Sequence, residues 1–199
     1  MENNSIDVTK ELQQKNQEIL FNKKIIDLDT AMESLLVFYN NYCTNVATDI
    51  NNQICHYRNV DLESEQGKIF YNTITSFFLI VMNKLKEIIT KDVKVLKSHL
   101  PKITDEEYTN ELSQIRVGII KQMADYYVES IDMLSNELTQ DANDDIKNRI
   151  SNYLLEMITV KMLNMLKDKV MFFIKVINNN YEENYQVMEN INEKTLNNV

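Results

Sequence analysis

The sequence predicts an all-α protein, an antiparallel up-down bundle of four long helices with an additional N-terminal helical segment. Three observations predict this fold. The 199 residues include only two glycines and one proline, too few for the turns of a sheet protein. Apolar residues recur at helical spacing, and helix-capping residues stand where that spacing breaks. With 44% hydrophobic and 26% charged residues, the chain is expected to form one globular domain over 1–199.

The first long helix is predicted near 30–58, because Thr30 and Glu33 have the spacing of a capping box. Residues 1–24 are predicted to form a weakly packed segment, and its helical part, 6–24, either stands apart or runs directly into the next helix. In the second case seven residues form one heptad seam that should face inward throughout. These residues are Ile25, Leu28, Met32, Leu35, Tyr39, Tyr42 and Val46.

Three further helices of similar length are predicted near 65–99, 104–139 and 143–178. Short connections between helices of matched length favour antiparallel neighbours. The loops near 59–64 and 140–143 should therefore lie together at one end of the bundle, and their aspartates and glutamates should make that end acidic. Residues 179–199 are predicted to be a tail that is either a frayed helix or disordered.

Capping signals fix the starts of these helices. Ser64 precedes Gly67 by three residues and can cap the second helix. Pro101 ends that helix, and Thr104 forms a capping box with Glu107.

The second and third helices keep an eleven-residue apolar spacing, which predicts nearly straight helices. In the second helix the spacing is kept by Phe70, Ile74, Phe77, Val81, Leu85, Ile88 and Leu96. In the third it is kept by Tyr108, Leu112, Ile115, Ile119, Met123, Tyr126 and Leu134.

The formal net charge of −9 makes nucleic acid a poor candidate partner, because the protein would repel a phosphate backbone. The N-terminus has no basic, apolar leader, and a cytoplasmic location is expected. Cys43 and Cys55 are twelve residues apart in one predicted helix, which separates them by roughly 18 Å. They should be free thiols, since a disulfide needs Cα atoms within about 7 Å.

Catalytic and metal-binding patterns are incomplete. Neither His56 nor His99 has the glutamate three residues earlier that a di-iron bundle requires. The calcium-like run that starts at Asp141 has Ile146 where glycine is needed. Cys55 and His56 are adjacent, so their side chains point about 100° apart on a helix. The sequence therefore predicts no enzymatic activity, no cofactor and no metal site.

The last helix carries apolar side chains on every side, whereas a bundle helix needs an apolar stripe only a little wider than 100°. The excess predicts an interaction surface centred on Met162, Leu166, Phe172 and Phe173. Three elements could cover this apolar surface: the N-terminal segment folded back as a fifth helix, a second subunit, or a partner helix or membrane.

These observations predict a helical protein-interaction or scaffold module without catalytic activity. Its partner is expected to be another protein or a second copy in a homodimer, since methionine-rich grooves suit a partner's helix. The alternative is a membrane-active bundle that exposes an apolar helix on lipid.

Overall fold

The computed structural model describes residues 2–178, with side chains from Lys10 onward. Helix α1 spans Glu2–Arg58, α2 spans Glu65–His99 and α3 spans Asp105–Leu138. Helix α4 begins at Asp144 and continues to 178. No strand occurs between residues 2 and 178. The predicted all-α bundle is confirmed, whereas the predicted tail over 179–199 lies outside the described residues.

Side-chain caps begin the last three helices. Ser64 Oγ accepts a hydrogen bond from the amide of Gly67 at 3.1 Å, and Asn143 Oδ1 accepts one from the amide of Ile146 at 3.0 Å. Thr104 Oγ1 accepts from the amide of Glu107 at 3.3 Å, while the Glu107 carboxylate accepts from the Thr104 amide at 2.6 Å. The capping box predicted at Thr104 is therefore confirmed.

The first helix differs from its predicted start. Thr30 lies within the continuous helix α1, so the prediction that it begins a helix is wrong. A capping residue needs a non-helical backbone, and here the helical backbone runs through Thr30 without interruption. Residues 6–24 extend the same helix, which rules out a fifth helix folded back over α4. The heptad seam faces inward as predicted, with four of its residues buried and three half-buried.

Polar contacts at both ends fix the antiparallel arrangement. At one end the Arg58 guanidinium donates to the carbonyl of Gln140 at 2.9 Å, which joins the end of α1 to the α3–α4 connection. At the other end Lys97 pairs with Asp29 at 2.6 Å, and Lys24 pairs with Asp105 at 2.9 Å. The α1–α2 loop near 59–64 and the α3–α4 loop near 140–143 therefore lie at the same end of the bundle, as predicted.

The eleven-residue patterns of α2 and α3 face the core. All seven α2 residues are buried, and in α3 five are buried while Ile115 and Tyr126 are half-buried. In the middle of the core the hydroxyl of Tyr39 in α1 contacts the hydroxyl of Tyr127 in α3. This contact satisfies two phenols that would otherwise be costly to bury.

Helix α4 changes helical type along its length. It is an α-helix over Asp144–Leu155, a π-helix over Glu156–Met162 and an α-helix again over 163–178. Its apolar residues recur at strict intervals of four. They are Ile146, Ile150, Leu154, Ile158, Met162, Leu166, Val170 and Ile174.

The π-helix explains how this spacing stays on one face. In an α-helix each four-residue step overshoots a full turn by about 40°, so the seven steps would rotate the stripe by about 280°. A π-helix bonds residue i to residue i+5 and turns less per residue, which reverses part of this drift. Residues on either side of it, Leu154 and Leu166, are both fully buried. The apolar surface of α4 is therefore narrower than the sequence predicted.

We predict opposite effects from substituting alanine at the two glycines. A Cβ atom at Gly67 would lie 2.5 Å from the carbonyl oxygen of Asp61 and 2.6 Å from that of Leu62. Gly67→Ala should therefore lower the free energy of unfolding by about 1–3 kcal/mol. At Gly118 the atom nearest to an added Cβ, Asp92 Oδ2, would be 3.7 Å away. Gly118→Ala should therefore raise the free energy of unfolding by about 0.5–1 kcal/mol.

Urea denaturation of both variants and the wild type measures these changes. Wild-type stability in Gly67→Ala would contradict the close approach of the α1–α2 loop to the first turn of α2.

Candidate functional site

The structure separates the four residues predicted for an interaction surface. Met162 and Leu166 are fully buried in the bundle core, so they are not available to a partner. Phe173 is half-buried, and Phe172 is 57% exposed. The prediction treated α4 as uniformly α-helical, whereas its π-helix turns Met162 and Leu166 inward. Only the phenylalanine pair remains accessible among these four.

Exposed apolar residues surround Phe172 near the last described residues of α4. Met171 is 51% and Val176 is 37% exposed, and both Lys167 and Lys175 are exposed beside them. We call these five residues, Phe172 included, the α4 terminal patch. The Phe172 ring meets the ring of Phe173 edge to face, with centroids 5.7 Å apart. This contact holds an exposed aromatic ring against one that is partly in the core.

Behind Phe173 lies a small apolar cavity of about 40 Å³. All four helices contribute to its lining, which contains apolar side chains and no polar one. The lining includes Leu28, Met32, Leu35, Ile89, Leu112, Ile119, Val170, Phe173 and Ile177. The volume would admit a water molecule, but these side chains offer it no hydrogen-bonding partner.

A second surface, on α2, is distinguished by the absence of charge. No charged residue occurs between Lys68 and Lys84, although 26% of the chain is charged. The exposed residues of this stretch form what we call the α2 face. They are Ile69, Asn72, Ser76, Leu79, Ile80 and Asn83. Leu79 is 63%, Ile80 50% and Ile69 48% exposed, which is unusual for large aliphatic side chains grouped together.

Grooves flank the α2 face on both sides. Toward α3, a groove of about 390 Å³ is lined by Ile69 and Ile80 together with Met133, which is 51% exposed. Toward α1, a groove of about 300 Å³ is lined by Leu79 and Thr44. Ser76 lines both grooves, so a small side chain stands on the ridge between two shallow channels.

Sequence reasoning missed the α2 face, although a signal for it was present. Residues 69–83 are uncharged, and residues 34–48 of the neighbouring helix α1 are uncharged as well. Which side chains of such windows remain outside the core depends on helix packing. The charge-free windows alone would nevertheless have indicated where to look.

Cys43 and Cys55 belong to α1, are buried in the core of the bundle and are free thiols, as predicted. Burial raises the pKa of the Cys43 thiol to about 12, and a hydrogen bond with Tyr39 partly opposes that rise. Burial and the nearby Asp61 carboxylate raise the pKa of Cys55. Cys55 Sγ lies 3.8 Å from Asn51 Oδ1, whereas the neighbouring His56 is exposed. This cysteine and histidine therefore do not form a nucleophile–base pair.

Among the side chains described, those of residues 10–178, no three from His, Cys, Asp or Glu are grouped so that they could hold a metal ion. Within the same range, no helix has both the length and the apolar character needed to cross a bilayer.

Comparison of the chain with protein-family models, with curated proteins and with solved structures finds no match.

We predict that Cys43 resists alkylation in the folded protein. With its pKa near 12, roughly one thiol in ten thousand is ionised at pH 8, and the thiolate is the reactive species. Iodoacetamide should therefore modify native Cys43 far more slowly than it modifies free glutathione. In urea without reductant both cysteines should react completely, as counted by intact-protein mass spectrometry.

Fast modification of native Cys43 would contradict its burial. Fewer than two modified thiols in the unfolded protein would show that a disulfide had been present.

Proposed function

We propose that this chain is a helical protein-interaction and assembly module without catalytic activity, which self-associates as a homodimer through the α2 face. One observation carries the proposal. In a chain of net charge −9, Ile69, Leu79 and Ile80 lie exposed in a stretch of α2 that has no charged residue between Lys68 and Lys84, and the exposed Met133 of α3 lies beside them.

The distribution of charge favours a second copy as the partner. Two chains of net charge −9 repel each other when their charged surfaces approach. Contact through the α2 face brings together uncharged residues and keeps most carboxylates away from the other chain. The centres of protein interfaces are likewise depleted of charged residues.

The rim of the face is self-complementary. On α2 it carries the exposed Lys68 and the half-buried Lys84, which pairs with Glu87 of its own chain at 3.2 Å, and on α3 it carries the exposed Glu129 and Glu137. A two-fold axis parallel to the bundle would bring the α2 faces of the two copies together, as an isologous interface requires, and would place α3 of each copy beside α2 of the other. Lysines of one chain would then meet glutamates of its partner. These pairs would set register more than affinity, since exposed ion pairs contribute little.

The affinity would come from the aliphatic residues. Fully burying a leucine or isoleucine contributes roughly 1.5–3 kcal/mol, and these side chains are about half exposed in the single chain. Four such side chains from each copy would therefore together contribute several kcal/mol, concentrated near the centre of the contact as in other interfaces. The grooves beside Ser76 provide the concave surface into which they would pack.

Sedimentation equilibrium over a range of concentrations tests the proposal. Wild-type protein should form dimers, and Ile80→Glu should weaken dimerisation by roughly a hundredfold, because a carboxylate would be buried without a partner. Val128→Glu is the matched control. It adds the same charge at an α3 residue that is 63% exposed and lines neither groove of the α2 face.

Circular dichroism should show unchanged helicity in both variants. Wild-type protein that remains monomeric at every concentration would contradict the proposal, as would equal dimerisation of the Ile80→Glu and Val128→Glu variants.

A further inference from the structure

We propose that the α4 terminal patch docks the intact bundle on an anionic lipid surface. The patch, which consists of Lys167, Met171, Phe172, Lys175 and Val176, shares no residue with the α2 face. The two proposals therefore rest on different observations and can fail separately.

The first support is a local reversal of charge. Residues 161–178 contain four lysines and one aspartate, the exposed Asp168, in a chain whose net charge is −9. Lys161 pairs with Glu156 at 3.7 Å, so the positive charge next to Phe172 comes from the lysines of the patch itself. Lys167 and Lys175 flank Phe172 and are both exposed. Each lysine close to an anionic leaflet contributes favourable electrostatic energy. The remaining acidic surface would be repelled, which would orient the bundle with this part of α4 toward the lipid.

The second support is the composition of the patch. An aromatic ring and two aliphatic side chains, all substantially exposed, lie among lysines. This combination is typical of helices that lie in the plane of a membrane with their apolar side at the headgroup–acyl boundary. Lysine stems can also lie along apolar surface while their ammonium groups reach phosphate.

The third support is the way Phe172 is held. Its ring contacts Phe173 at 5.7 Å between centroids, and Phe173 lines the apolar cavity. Nearby, the ammonium of Lys169 lies 4.3 Å from the centroid of the Phe38 ring in α1. This contact ties the same part of α4 to its neighbour. Phe172 is thus presented outward by an anchored helix, and docking requires no opening of the bundle.

Vesicle co-sedimentation tests the proposal with the full chain. Wild-type protein should bind phosphatidylcholine vesicles that contain phosphatidylserine, should not bind pure phosphatidylcholine vesicles, and should dissociate as salt is raised. Phe172→Ser should reduce partitioning roughly five- to tenfold. Lys175→Glu should reduce it by roughly fivefold or more.

Matched controls are available on α3. Val128→Ser removes an apolar side chain that is 63% exposed, and Lys121→Glu reverses an exposed charge. Both should bind as the wild type does, because neither residue belongs to the patch. Circular dichroism should show equal helicity in all four variants.

Three outcomes would overturn the proposal. The first is a failure of the wild type to bind phosphatidylserine vesicles, and the second is equal loss of binding in the patch and control variants. The third is a fall in solution molar mass caused by Phe172→Ser, which would show that a second copy covers the patch. The first two results do not bear on dimerisation through the α2 face, which Ile80→Glu tests, whereas the third would assign self-association to the α4 terminal patch.

Discussion

The bundle depends on how α4 keeps one face toward the core along its whole length. Its apolar residues recur every four positions from Ile146 to Ile174, a spacing that a regular α-helix would wind around its own surface. The π-helix over Glu156–Met162 compensates, and Leu154, Met162 and Leu166 are all fully buried. In a regular α-helix the ends of this apolar stripe would rotate away from the core formed by the other three helices. The same segment decides which apolar residues remain outside.

Most of the fold could be predicted because local signals and packing agree. The caps at Ser64 and Thr104 and the single proline set boundaries that the structure confirms. Thr30 shows where such reasoning fails. A threonine and a glutamate at capping distance also occur inside helices, and the inward seam of α1 favours a continuous helix there. The π-helix was missed because the apolar pattern was compared with a constant turn of 100° per residue.

The candidate surfaces were less predictable than the fold. Met162 and Leu166 looked like surface residues because they added to an apparent excess of apolar positions, yet they are core. Phe172 was predicted to belong to the same surface, and it is 57% exposed. The α2 face was overlooked because its signal is an absence of charge over 69–83 rather than an apolar pattern. Whether uncharged residues lie outward depends on neighbouring helices, which one sequence does not specify.

Small-angle X-ray scattering with molar-mass determination tests lateral self-association most directly. Helix α1 contains 57 residues and is therefore about 85 Å long, which sets the long dimension of the bundle. Two bundles joined side by side through the α2 face should have twice the 23.5 kDa chain mass and nearly the same maximum dimension as one chain, with a wider cross-section. A particle with the mass of one chain, or a dimer whose maximum dimension is doubled, would contradict the account.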